Sequence, residues 1–350
     1  MAEYEQSSAK STPRSRQELS RRDLLAAGLG AALAAVTSLP GQLLAQAGAM
    51  AGETPKSTSS PTTAPIQPGL PPSLVITTKC DRVIQGVRVH PRWLREMIDR
   101  CLTSLAGRED TTKAWAQFVT PGQKILLKFM RLGDNMGTDQ PMLNALLTSL
   151  VRAGHKRGDI SVADCPCSAF IEGLAPTPQG WSRQTVTVGK DAEQLRAYLD
   201  GIDAIINVPF LADHNLAGLA CAMMNVSLPL IRHPARFYGQ QLHQTIASLC
   251  ADQAIRPRVK LTLVNGLRCV YDGGPLVDPD RAVYDSTIMG STDMVALDLL
   301  ALDWVERHRA ENHLPTLAAS GRPAEFVRIA GRMGLGRADL REIVRRTHLV

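Results

Sequence analysis

Aromatic side chains make up only 4% of this chain, and no dense run of lysine and arginine is interleaved with them. The formal net charge is +6, from 39 basic and 33 acidic residues among 350. So mild a balance lacks the basic stripe of a nucleic-acid binder, and no nucleic-acid partner is expected. Seven cysteines occur, at positions 80, 101, 165, 167, 221, 250 and 269, without a C-x-x-C pair or a ferredoxin-like run. Cysteine-only iron–sulfur ligation is therefore unsupported. Also missing, in the strand and helix context each requires, are a nucleophile elbow, a P-loop and a dinucleotide fingerprint. There is no internal repeat. No motif, then, names a reaction.

What the amino terminus does have is an export signal. Ser20-Arg21-Arg22-Asp23-Leu24-Leu25 is a twin-arginine motif, followed by a mildly apolar run from Leu24 to Leu39 and a small-x-small site, Ala45-Gln46-Ala47. The apolar core falls short of the roughly 20 residues that span a bilayer, so a cleaved signal over residues 1–47 is expected rather than a membrane helix. The implied partner is the twin-arginine translocation machinery, and the implied destination is the periplasm or the exterior. No cysteine follows the cleavage site, so no lipid anchor is indicated there. Cleavage removes five basic and four acidic side chains, leaving a net charge of +5 and no stable membrane span. Residues 48–73 are rich in Pro, Ser, Thr and Gly and read as a disordered linker.

The remaining residues, 74–350, suffice for a single domain around one core. Apolar runs begin at Ser73 and continue at Lys124 to Phe129, Ile160 to Ala163, Thr185 to Val188, Ala204 to Val208, Val259 to Asn265 and Ser286 to Met289. Between them, helical spacing is read over Pro91 to Leu105, Thr112 to Phe118, Gln140 to Ala153, Ala192 to Leu199, Gly239 to Cys250 and from Asp293 to His308. Residues from Leu314 onward read as helices with a terminal strand or helix. Such alternation implies an α/β fold, a mainly parallel (Rossmann-like) sheet with helices on both faces.

Strand carboxyl ends are where such sheets place ligands, and three converge as candidates. Lys128 ends one strand beside the polar loop 130–139, where it could bind a carboxylate or phosphate or else be a solvated terminus. Asp164 ends the next. The third is Ile205 to Asn215, read as a strand that stops at Pro209 and opens into a polar loop carrying Asp213 and His214, with Asn207 before it and Asn225 beyond. His214 and Asp213 could act as general base and orienting carboxylate, giving a catalytic set with Asp164. Asp272-Gly273-Gly274 permits close backbone approach to a ligand, or a plain turn. His214, Asp293 and Asp298 are candidates for a divalent cation, although Asp293 equally reads as a helix cap and Asp298 as a buried partner of an arginine. Cys165-Pro166-Cys167 could hold a soft metal or a redox pair, with packing as the plainer role. The cofactor stays open.

Six landmarks in this order resemble a known family: Ile-Leu-Leu-Lys at 125–128, Val-Ala-Asp at 162–164, Ile-Ile-Asn-Val-Pro-Phe-Leu-Ala-Asp-His at 205–214, Met-Asn at 224–225, Tyr-Asp-Gly-Gly-Pro at 271–275 and Gly-Ser-Thr-Asp-Met-Val-Ala-Leu-Asp at 290–298. They look like the domain of unknown function 362 family, particularly its exported twin-arginine members, over about Ser73 to Gly336. The resemblance implies fold and topology rather than an activity. Some relatives carry ferredoxin-type cysteine clusters, which this chain lacks. Relatives also often have lysine where Ala212 and Met224 stand, and asparagine where Met130 stands. Those differences argue against an unchanged anion site and leave two readings. One is an enzyme or binder of a small anionic or metal-bound ligand at the strand ends; the other is a non-catalytic or degenerate relative.

Overall fold

The computed structural model describes residues 71–131, 137–274 and 281–350. The segments read as a signal and, for the most part, as a linker, and part of the loop after Lys128, lie outside them. The strands are β1 (Ser73–Lys79), β2 (Ile84–Gln85), β3 (Arg88–Val89), β4 (Ile125–Phe129), β5 (Ile160–Ala163), β6 (Trp181–Val188), β7 (Asp191–Arg196), β8 (Ala204–Val208), β9 (Phe210–His214), β10 (Gly218–Ala220), β11 (Val259–Val270), β12 (Ala282–Val283), β13 (Thr287–Ser291) and β14 (Ile343–Leu349). The helices are α1 (Pro91–Ala106), α2 (Thr111–Trp115), α3 (Asp139–Arg152), α4 (Ala222–Asn225), α5 (Leu242–Ala251), α6 (Met294–Glu311) and α7 (Phe326–Arg332).

Ten strands form one sheet with the central order β14-β1-β13-β11-β8-β4-β5. β11, β8, β4 and β5 run parallel, whereas β13 enters antiparallel between β1 and β11. The fold is thus α/β, with a mixed, mostly parallel sheet. β4 and β8 are buried at every position, as parallel strands covered on both faces must be. Period two then sorts their side chains. Ile125, Leu127 and Phe129 pack with Ile206 and Val208 beneath α1 and α3. Leu126 and Ile205 face the other layer, with α4 to α7. Lys128 and Asn207 follow Leu126 and Ile205 at the same parity, so both point to the α4 side.

Local signals end the helices as expected. Pro91 opens α1, Gly107 closes it at φ 61°, and the Asp293 carboxylate caps α6 by accepting from the Ala296 N–H at 3.0 Å. Two expectations fail. The helix expected at 192–199 is strand β7 and a single 3-10 turn, and the strand expected at 185–188 belongs to β6; the two strands form a separate antiparallel hairpin outside the main sheet. Gly189, at φ 63°, and Lys190 make its two-residue turn, and the buried Val186, Val188, Glu193 and Leu195 follow strand alternation rather than a helical stripe. Nor does the chain loop out after Pro209. It continues as β9, fully buried, pairing with β10 and the far end of β11. Proline donates no N–H to the ladder, and its carbonyl accepts from Asn265 N at 2.7 Å, which carries the chain from one partner region to the next. No helix among the described residues is long and apolar enough to cross a membrane.

Candidate functional site

After β4 the chain leaves through α3 to β5 on one side; after β8 it leaves towards α4 and α5 on the opposite face. The gap between the carboxyl ends of β4 and β8 is therefore the topological switch point of the parallel block, the position that collects ligands in open α/β sheets. Lys128 and Asn207 are direct register partners across it.

Lys128 is 1% exposed, and its ammonium group meets three acceptors: the Phe129 carbonyl at 2.8 Å, Asn225 Oδ1 at 2.9 Å and Asp164 Oδ2 at 2.8 Å. Those contacts use all three of its N–H donors. It is thus neither a solvated terminus nor a direct ligand donor in this arrangement. Burial pushes its pKa down, and the Asp164 carboxylate opposes that shift. Asn225 Nδ2 donates back to the Lys128 carbonyl at 3.0 Å and to Asn207 Oδ1 at 2.8 Å, and Asn207 Nδ2 reaches the Ala222 carbonyl at 2.9 Å. Asp298 fixes α4 from below, accepting from Ala222 N at 2.7 Å and Met223 N at 3.0 Å. An arginine partner, expected for Asp298, is not what satisfies it.

Only Asp164 of this cluster reaches open space. It lies at φ 58°, a left-handed conformation that a non-glycine residue adopts at some cost, and its side chain is 20% exposed. Oδ2 accepts from Lys128 and from the Tyr198 hydroxyl, the latter at 3.3 Å, and the residue lines a cleft of about 500 Å³. Tyr198, Arg196 and Arg131 line the same cleft. Burial, reinforced by the Asp164 charge, holds the Tyr198 phenol well above its ordinary pKa, so it remains a proton donor. The Arg196 guanidinium is pinned twice: its Nε donates to the Pro229 carbonyl at 3.2 Å, and its carbon lies 4.2 Å from the Trp181 ring centroid. Its terminal nitrogens make no hydrogen bond among the described residues. Arg196 and Tyr198 escaped the sequence reading because they lie in the segment taken for a helix; the Val-Thr-Val-Gly-Lys turn signal could have exposed it.

Asp213 and His214 do not work together. As neighbours on β9 their side chains leave opposite faces, and no hydrogen bond joins them. Asp213, 0% exposed, accepts from Gly274 N at 2.6 Å and from Arg322, which also bridges to Asp272. Burial raises the Asp213 pKa against these donors. Partial burial acts likewise on Asp272, but Arg309, Arg281 and Arg322 outweigh it and hold that carboxyl below its usual range. The close approach expected at Gly273 and Gly274 is made to Asp213, not left for a ligand: a Cβ at Gly274 would collide with the Asp213 carbonyl. His214 Nδ1 accepts from the Leu216 and Ala217 N–H groups, each at 3.1 Å, and its ring stacks on Tyr238 at 6.1 Å. A neutral imidazole accepting at Nδ1 carries its proton on Nε2, so His214 has no lone pair left for a base or a metal. Burial, aided by the Arg322 charge, lowers its pKa to about 4.

The three cation candidates remain apart. Asp293 serves α6, Arg337 N and Ser73, Asp298 serves α4, and His214 serves its own turn. Among the described residues no group of three His, Cys, Asp or Glu side chains could hold a metal ion.

Residues 177–303 match the family model described as a domain of unknown function, DUF362. A comparison with curated proteins gave no match. The matched stretch runs from the approach to β6 into α6 and contains Arg196, Tyr198, Asn207, Asp213, His214, Asn225, Asp272 and Asp298, whereas Lys128 and Asp164 precede it. Over those residues the chain is similar to the domain of unknown function 362 family.

Proposed function

We propose that the cleft at the ends of β4 and β5 binds a small anionic molecule, a carboxylate or phosphate, outside the cytoplasm. The observation that carries this reading is Arg196. Its guanidinium stacks on Trp181 and its Nε is spent on Pro229, so the terminal N–H groups are left for the cleft with little rotamer freedom to lose. Arg131, on the same cleft, has no ion pair among the described residues and adds a second positive charge. Asp164, the partly exposed member of the cluster, supplies an acceptor for the neutral part of the ligand, and Tyr198 holds that carboxylate in place.

Calorimetric titration with inorganic phosphate and a panel of small mono- and dicarboxylates tests it. At least one should bind, and Arg196→Gln should weaken that binding tenfold or more, about 1.5 kcal/mol for a charge-assisted hydrogen bond. Absence of binding across the panel, or equal binding by the variant, would sink the reading.

A catalytic role for the same cleft is favoured by one further observation. The strained Asp164 carboxylate touches a buried ammonium and a phenol, a chain along which a proton can pass at the ligand's edge. If the ligand is turned over, Asp164→Asn should retain binding and lose turnover.

A further inference from the structure

Beside the cleft, Cys165 and Cys167 bring their sulfurs to 2.9 Å across the exposed Pro166. We propose that these two residues form a thiol–disulfide exchange site whose co-substrate is a small-molecule or protein disulfide. A disulfide bond of about 2.05 Å lies within a small χ1 adjustment of that arrangement. Access divides the roles. Cys167 is half-exposed and borders a depression shared with Val89, Gly137 and Gln140, whereas Cys165 is 3% exposed and lines the ligand cleft.

In the forward direction the Cys167 thiolate attacks one sulfur of the disulfide R–S–S–R, forming a mixed disulfide and releasing one thiolate. Cys165, deprotonated to solvent, then attacks Cys167 Sγ and expels the second thiolate. Two electrons leave the cysteine pair and reduce R–S–S–R to two R–SH, so the exchange is balanced without a metal or a further oxidant.

The other five cysteines are no competitors. Cys80, Cys101, Cys221, Cys250 and Cys269 are at most 2% exposed. Burial raises the Cys101 thiol to about 12 and pushes the Cys221, Cys250 and Cys269 thiols up as well, which suppresses the nucleophilic thiolate. Selectivity therefore begins at Cys167, the one cysteine of the seven that is not buried, and Cys165 follows as the sulfur 2.9 Å away. Because Cys165 adjoins Asp164, closing the ring would tie the turn that carries the cleft carboxylate.

The test uses the folded full chain equilibrated over a series of oxidised-to-reduced glutathione ratios, then alkylated in denaturant and digested with trypsin. Cleavage after Arg157 and Arg183 gives peptide 158–183, in which Cys165 and Cys167 are the only cysteines. With rising oxidation this peptide should lose two hydrogens and both alkyl groups together, while the other five cysteines stay alkylated. Cys165→Ser should instead trap glutathione on Cys167, and Cys167→Ser should take up neither modification readily. The proposal is overturned if the peptide stays doubly alkylated at every ratio, or if the five buried cysteines oxidise in step with it.

Discussion

At the scale of single residues, the Lys128–Asp164 pair has an asymmetry that measurement can read. The lysine is 1% exposed and the carboxylate 20%, so the two charges do not depend equally on each other. Removing the carboxylate strands a buried ammonium, whereas removing the ammonium leaves a carboxylate that water partly reaches. Asp164→Asn should therefore lower the unfolding free energy by about 3 kcal/mol and Lys128→Met by only about 1 kcal/mol. Urea denaturation of both decides it, and the reverse order would refute the account. A second residue-scale effect concerns pH. Burial raises the Asp298 carboxyl from 3.8 to about 7 in the folded chain, against the N–H groups of Met223 and Ala222. Its contribution to stability is then full below about pH 4 and is lost as pH rises towards 7. His214 runs the other way: lowered from 6.5 to about 4, its contribution is present above 6.5 and lost as pH falls through 4. The two slopes oppose one another between about pH 4 and 6.5. Asp298→Asn should unmask stability that rises with pH in that window, and His214→Asn stability that falls. Urea midpoints of both variants that merely parallel the parent would contradict this linkage.

At the scale of elements, β9 and β10 are clamped by the turn at 271–274. Gly274 gives its N–H to the Asp213 carboxylate and its carbonyl to Asn215 N, leaving no room for a side chain. Gly274→Ala meets backbone, which cannot swing away, and should cost about 2 kcal/mol or more in thermal or chemical unfolding. A loss below about half of that would show that the turn yields. The same elements explain what the sequence could disclose. β4 and β8 are legible because a strand buried on both faces is written as an unbroken apolar run, and α6 because its Asp293 cap is local. The β6–β7 hairpin is obscure because Ala192, Leu195 and Leu199 fit a helical face as well as a strand. Asp213 and His214 suggest a catalytic pair only while their partners are unknown. Arg322 lies 109 residues from Asp213, and no local pattern announces so distant a pairing. Lys128 was recognisable as a strand-end charge, but its complete satisfaction by Asp164, Asn225 and Phe129 depends on the whole sheet being assembled.

At the scale of the whole molecule, the sheet order sets the polar cluster where connections part, with apolar layers on either side. The proposed location of this chain outside the cytoplasm rests on Arg21 and Arg22 in the amino-terminal motif. Replacing both with lysine should leave the precursor in the cytoplasmic fraction, detected by its larger mass on an immunoblot. Unaltered export of the double variant would remove the twin-arginine route from consideration.

The stacking of Arg196 on Trp181 turns the cleft into an optical device. The chain has four tryptophans, and this one carries a guanidinium 4.2 Å above its ring. An anion that draws on Arg196, as proposed, should redistribute the positive charge over the indole, so the emission of Trp181 should report occupancy of the cleft without any added label. Trp181→Phe, which keeps the other three tryptophans, supplies the reference whose emission should not respond.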